Sequence, residues 1–236
     1  GVIKMQNGAI VVPCDAVTGG NGGSAIHVSL DNGKTWHEPG AGTPEPSFTE
    51  GGTGGTIAGI HAGVVELTGG RLMALGRGNN INNHMPKSIS EDMGKTWTYT
   101  ASPFPPVSSG QRIVLMRLAE GPILLVSFTD PRTLRRKTGM TFKDAKGNEF
   151  IGTGMFAALS YDEGETWPVR KLLTPGEGEY DGGGHTKRFT ATPTRAEHGG
   201  YLAATQSPDG VIHLISSKLH YRFNYAWLTT PAKAVK

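Results

Sequence analysis

The stretch Ser90–Trp97, SEDMGKTW, decides how this chain is read, because its skeleton occurs twice more. SLDNGKTW runs from Ser29 to Trp36 and SYDEGETW from Ser160 to Trp167. Ser-x-Asp-x-Gly-x-Thr-Trp therefore recurs at offsets of 61 and 70 residues. Fixed identities at fixed spacing mark a repeat architecture, and each copy predicts a compact turn. The Asp (Asp31, Asp92, Asp162) accepts backbone N–H groups of its own turn. The Gly (Gly33, Gly94, Gly164) supplies a positive φ, and the Thr adds a second polar tie. The Trp is expected to plug the hairpin into the layer beneath. Such a device staples a strand-turn-strand unit, so function has to be sought elsewhere in the chain.

A second repeat lies between these turns. QNGAIVVP (Gln6 to Pro13), TGGRLMALG (Thr68 to Gly76), AEGPILLVS (Ala119 to Ser127) and PDGVIHLIS (Pro208 to Ser216) each place a turn glycine before an apolar, β-rich run. Each predicts a hairpin feeding a buried strand. Gly8 to Asp31 is 23 residues and Gly70 to Asp92 is 22, but Gly121 to Asp162 is 41. The extra length falls in the polar, basic stretch Pro131 to Asn148, which predicts a long loop. The fourth unit has its hairpin, with HYRFNYAWL (His220 to Leu228) where the Trp-ended signature would stand. Helical periodicity is lacking, so helix should be minor. Radial repetition of about four strands per unit predicts an all-β fold, a β-propeller.

Composition agrees with this class: 35 Gly and 15 Pro against 36% hydrophobic and 18% charged residues suit many short strands and tight turns. A net charge of +3 with scattered basic residues argues against nucleic acid as a partner. Its one cluster, Arg132, Arg135, Arg136 and Lys137, is expected to be a solvated loop. Cys14 is the sole cysteine, which rules out an intrachain disulfide. No apolar run is long enough for a membrane span, and no signal peptide precedes the first strand-like segment. The chain opens on Gly1 without an initiator Met, which suggests a mature or truncated N-terminus. The Gly-rich runs Val17 to Ser24 and Gly51 to Thr56 do not lead into helices as a phosphate cradle would, and nucleotide binding is rejected. Asp181 to His185 is a third such connection. The eight His show no metal-ligand spacing, and neither a metal nor another cofactor is expected.

The Trp-ended signature, together with ELTGGRLMALGRG (Glu66 to Gly78) and the closing GYLAATQSPDGVIHLISSKLHYRFNYAWL (Gly200 to Leu228), resembles the sialidase, or neuraminidase, superfamily with its Asp-box (BNR) repeats. The resemblance covers nearly the whole chain. It implies a single sialidase-like propeller domain over residues 1–236, with about four blades' worth of sequence where the family has six. The expected reason is that the N-terminal blades are missing; a smaller closed propeller is the alternative. It also implies a glycan substrate, with the box aspartates at the blade periphery and structural. Oligomeric state stays open. Export to the periplasm or the extracellular space is expected, as for sugar-scavenging hydrolases.

Sialidases use a Tyr nucleophile instead of a second carboxylate. The anomeric carbon bears a carboxylate, and a neutral Tyr approaches it with less repulsion than an anion. The resemblance places that nucleophile on Tyr201. It places a carboxylate-binding arginine on Arg77, whose planar fork can grip a carboxylate bidentately. Asn82, Asn83 and His84 follow Arg77 at the mouth of a blade as candidate sugar-hydroxyl partners. Arg117 is a stand-in carboxylate binder, and His185 and Lys187 lie on the connection leading to Tyr201. Two family groups are absent. The general-base Glu falls on Ala62, about fifteen residues before Arg77, with His61 beside it. The third arginine of the family's carboxylate-binding set falls on Gly154. His61 could replace the Glu as base, since imidazole suits proton transfer near neutral pH. The leading expectation is a retaining, sialidase-like glycoside hydrolase acting on a terminal acidic sugar. The alternatives are a catalytically inactive glycan-binding propeller and a hydrolase for a non-sialic sugar.

Overall fold

A computed structural model describes residues 1–15, 22–183 and 187–233. His185 lies outside the described residues. The chain forms two compact units, 1–106 and 107–236.

The first unit contains β1 (Ile3–Lys4), β2 (Ile10–Asp15), β3 (Ser24–Ser29), β4 (Thr53–Gly54), β5 (Ile60–Glu66), β6 (Leu72–Arg77), β7 (Pro86–Ser90) and β8 (Trp97–Ala101). They form two sheets, ordered β1-β2-β3 and β4-β8-β7-β6-β5. The period-2 pattern of β2 and β3 turns Val11, Ile26 and Val28 toward β5 and β6, where Val64, Leu72 and Ala74 complete a shared core with Trp97 and Tyr99. β6 is buried over five of its six residues, which is why LMALGR reads as a continuous apolar run.

The second unit contains β9 (Gln111–Arg112), β10 (Val114–Arg117), β11 (Ile123–Phe128), β12 (Met140–Lys143), β13 (Glu149–Gly152), β14 (Met155–Ser160), β15 (Val169–Leu172), β16 (Gly178–Asp181), β17 (Arg188–Ala191), β18 (Gly200–Tyr201), β19 (Ala203–Gln206), β20 (Val211–Ile215), β21 (His220–Asn224) and the short helix α1 (Tyr225–Thr229). Its larger sheets run β10-β11-β14-β15 and β19-β20-β21, beside the pairs β12-β13, β16-β17 and β18-β9. β11 and β14 are buried at every position. α1 starts at Asn224, whose side chain accepts the Trp227 N–H. Buried Lys171 holds the other end by donating to the carbonyls of Trp227 and Thr230.

The four glycine hairpins join β1 to β2, β5 to β6, β10 to β11 and β19 to β20, closed by bonds such as Met5 N to Ala9 O (2.8 Å) and Ser207 N to Val211 O (2.8 Å). The three Trp-ended turns share one geometry. Gly33, Gly94 and Gly164 have φ of 85°, 87° and 85°, and the residue before each is also left-handed: Asn32 at 58°, Met93 at 59°, Glu163 at 60°. The Ser hydroxyl donates to the Asp (2.8 to 2.9 Å) and accepts the Gly N–H (2.7 to 2.8 Å). The Asp in turn accepts the Thr N–H and hydroxyl, as at Asp92 from Thr96 (2.9 and 2.7 Å). At Gly94 a second constraint applies, because a Cβ would meet Ile26 Cδ1 at 2.2 Å.

Two expectations are corrected. Trp97 and Trp167 are buried, but Trp36 is 45% exposed and plugs nothing. After Trp97 and close after Trp167 the chain continues as β8 and β15, whereas after Trp36 only one bridge forms, His37 to Val28. The stretch from Pro131 to Asn148 is not all loop. Met140–Lys143 pairs with Glu149–Gly152 as a hairpin, pinned by Phe142, whose ring lies 5.8 Å from Phe150 and 6.3 Å from Phe156. The signal was MTFK-DAKGN-EFIG, an Asp-x-x-Gly turn between apolar alternations, with Asp144 accepting the N–H groups of Lys146 and Asn148.

Candidate functional site

In the first unit the candidates gather at the end of β5 and β6 that lies away from the Trp-ended turn. Ile60 pairs with Arg77, so His61 and Arg77 leave the sheet at the same end. The pairing slips between Ile60 and Gly63, a bulge that puts His61 at φ 52°. Ala62 turns inward and is 3% exposed, so the expected Glu position is a core position here. His61 turns instead to Asp15, the last residue of β2. The ring Nδ1 lies 3.2 Å from Asp15 Oδ2, and the His61 N–H donates to Asp15 Oδ1 at 2.8 Å. Asp15 is a residue the sequence did not point to, because it lies 46 positions away from His61 and in no motif with it.

Asn82 and Asn83 occupy the two central positions of the turn closed by Ile81 and His84, at φ 49° and 62°. Asparagine tolerates the left-handed region, so both have a conformational reason to be there. The His84 ring lies 2.7 Å from the Asn82 carbonyl. Cys14 Sγ is 3.3 Å from His27 Nδ1. Burial first, then the carboxylates of Glu38 and Asp15, push its thiol up, which disfavours the nucleophilic thiolate.

In the second unit Tyr201 lies on β18, which runs parallel to β9 and sets Tyr201 opposite Arg112. The Tyr201 N–H donates to Ser217 Oγ at 3.0 Å, and 49% of the residue is exposed. Gly110 and Gly199, just before these two strands, leave the space that the Arg132 side chain fills; a Cβ on Gly110 would lie 2.0 Å from its Nη1. Arg117 sits at the other end of its sheet, beside the third Trp-ended turn. Its guanidinium is held by the Gly121 carbonyl (2.8 Å) and Glu163 (2.9 Å). Lys187 is exposed, at φ 63°, and its carbonyl accepts Lys218 Nζ. Gly154, the expected arginine position, has φ 108°, and a Cβ there would lie 2.4 Å from the Ala196 carbonyl. The backbone excludes any side chain at that point.

The same segment carries Glu197, 1% exposed. Its Oε2 accepts Ser216 Oγ (2.6 Å) and Tyr221 OH (2.8 Å), while Oε1 is buried without a hydrogen-bond partner among the described residues. Burial pushes this carboxyl up, against the opposing pull of those two hydroxyls. The Trp-ended turns show the reverse. Hydrogen bonds from the Thr35 side chain and backbone lower Asp31 to about 2, and those of Thr166 do the same for Asp162. At Asp92 burial acts upward, yet bonds from Thr96 and Ser90 leave the group lowered. These aspartates are ionised and committed to their own turns, which suits a structural role. Among the described residues, no group of three or more His, Cys, Asp or Glu could hold a metal ion, and no helix is long and apolar enough to cross a membrane.

Repeated strand-turn-strand units stapled by Asp turns define an all-β, β-propeller-like fold. Residues 1–216 match the BNR repeat-like domain, and the chain belongs to that family. Among solved structures it is similar to a protein of unknown function from Dyadobacter fermentans (TM-score 0.52, 18% identity, 94% of this chain and 50% of that one). It is also similar to the intramolecular trans-sialidase of Ruminococcus gnavus, solved with oseltamivir carboxylate (0.54, 17%, 94% and 42%). A sialidase from Streptococcus pneumoniae aligns as well (0.53, 16%, 93% and 27%). The chain thus spans half or less of the length of these structures. No curated protein sequence matches it.

Proposed function

We propose that this protein is a sialidase-like glycoside hydrolase that releases a terminal acidic sugar from a glycan with retention, and that it acts outside the cytoplasm. One observation carries the reading: Tyr201 is half exposed, at the position the resemblance assigns to the nucleophile, on a strand whose neighbour sets Arg112 opposite it. A tyrosine serving only the core would hide its ring. In this reading Tyr201 attacks the anomeric carbon as the glycosidic bond breaks, the aglycone leaves as an alcohol with a proton taken up from solvent, and water then hydrolyses the sugar from the tyrosine. Within the first unit taken by itself, Arg77 and His61, at one end of β5 and β6, are the proposed carboxylate binder and proton acceptor. The domain is read as one sialidase-like propeller domain over 1–236, with Lys187 and His84 as further glycan contacts.

A second reading, a glycan-binding protein without turnover, is favoured by Ala62 and Gly154, which lack the expected Glu and Arg. Turnover of a panel of sialosides and aryl glycosides separates the two. Tyr201→Phe, folded as the parent, is expected to lower sialoside turnover at least 10²-fold; unchanged turnover refutes the nucleophile. Binding of sialosides without any cleavage supports the second reading.

A further inference from the structure

We infer that Asp15 is a positioning residue for His61: its carboxylate keeps the proton on Nδ1 of the imidazole and leaves Nε2 as the acceptor nitrogen. This rests on the reading of His61 as proton acceptor and deepens it.

His61 is held in a conformation that an L-residue rarely adopts, at φ 52°. Three contacts from the end of the β2–β3 ladder keep it there. Asp15 and Ser24 are ladder partners. Ser24 Oγ donates to the Gly59 carbonyl (2.9 Å) and accepts the Ala62 N–H (3.3 Å), bracketing the bulge on both sides. Between these points Asp15 Oδ1 accepts the His61 N–H at 2.8 Å. The bulge is thus built from a neighbouring sheet, and its product is an imidazole, 24% exposed, at the end of the sheet where Arg77 also lies. The second oxygen of the same carboxylate lies 3.2 Å from Nδ1. A carboxylate accepts and cannot donate, so the neutral ring must present N–H at Nδ1. Backbone and ring are gripped by one rigid group, which fixes the direction of Nε2 as well as its protonation.

The test is Asp15→Asn. The amide is isosteric, but only one of its two atoms accepts. With its oxygen retained by the His61 N–H, its NH2 faces Nδ1 and favours the Nε2–H tautomer. The 15N chemical shifts of the His61 ring, at a pH where imidazole is neutral, are expected to report Nδ1–H in the parent and Nε2–H in the variant. Ser24→Ala, which touches the bulge and not the ring, should keep the parent tautomer. Turnover in Asp15→Asn should fall by about 10²- to 10⁴-fold in kcat with little change in KM, the size seen when an oriented imidazole takes the wrong tautomer. An unchanged tautomer in Asp15→Asn overturns the inference. A switched tautomer with unchanged turnover supports the clamp and refutes His61 as proton acceptor, so the two failures are distinct.

Discussion

Trp36 and Trp97 occupy the same position of the same motif within the same unit, and they should differ sharply in what they contribute. Burying the roughly 200 Å² of a tryptophan at ~25 cal/mol/Å² contributes about 5 kcal/mol. Trp97 is 1% exposed and collects nearly all of this, less about 1–2 kcal/mol for an indole N–H buried without a partner among the described residues. Trp97→Ala is therefore expected to destabilise the first unit by about 3–4 kcal/mol. Trp36 is 45% exposed, so roughly half the area is at stake. Its indole lies on its own turn, 3.6 Å from the Cβ position of Gly33 and bonded to the Gly33 carbonyl at 3.1 Å. Such local contacts partly persist in the unfolded chain, and removing the ring opens no enclosed cavity. Trp36→Ala should lower stability by only about 1–2 kcal/mol. Urea unfolding followed by far-UV circular dichroism compares the two at equal slope. Equal losses would refute the argument, because a motif-intrinsic contribution would then outweigh tertiary burial.

Glu197, raised by burial, makes the folded second unit hold a proton that the unfolded chain releases near the ordinary value of 4.5. Its contribution is fully present below that value and is lost as pH rises through the higher folded value. Glu197→Gln should therefore weaken the decline in denaturation midpoint between pH 4 and neutrality, and superimposable pH profiles would count against the buried charge. At Gly154 the left-handed φ and the Ala196 carbonyl leave no room for Cβ. Gly154→Arg, which installs the expected arginine, should give a misfolded second unit with no gain in sialoside binding; a folded variant that binds more tightly would show that the backbone is not the obstacle.

What was legible in the sequence is what short-range contacts decide. The Trp-ended turns close within two to four residues, Ser29 to Asp31, Asp31 to Thr35, Ser29 to Gly33, so residue identity at fixed offset is sufficient information. The glycine hairpins are equally local, and with them the all-β class and the family were within reach. Tyr201 and Arg77 could be nominated from their distance to those landmarks. The tertiary structure decided the matters that depend on a distant partner. Whether a motif tryptophan is buried depends on whether a further strand forms beside it, which the motif does not encode. Gly154 is explained only by the Ala196 carbonyl against it, and the ion pair of Arg117 is made with Glu163, 46 residues away. The pairing of Asp15 with His61 needs two sheets in contact and a one-residue slip in β5. A strand's register leaves almost no trace in composition, yet it determines which of two neighbours, His61 or Ala62, faces the carboxylate and which faces the core.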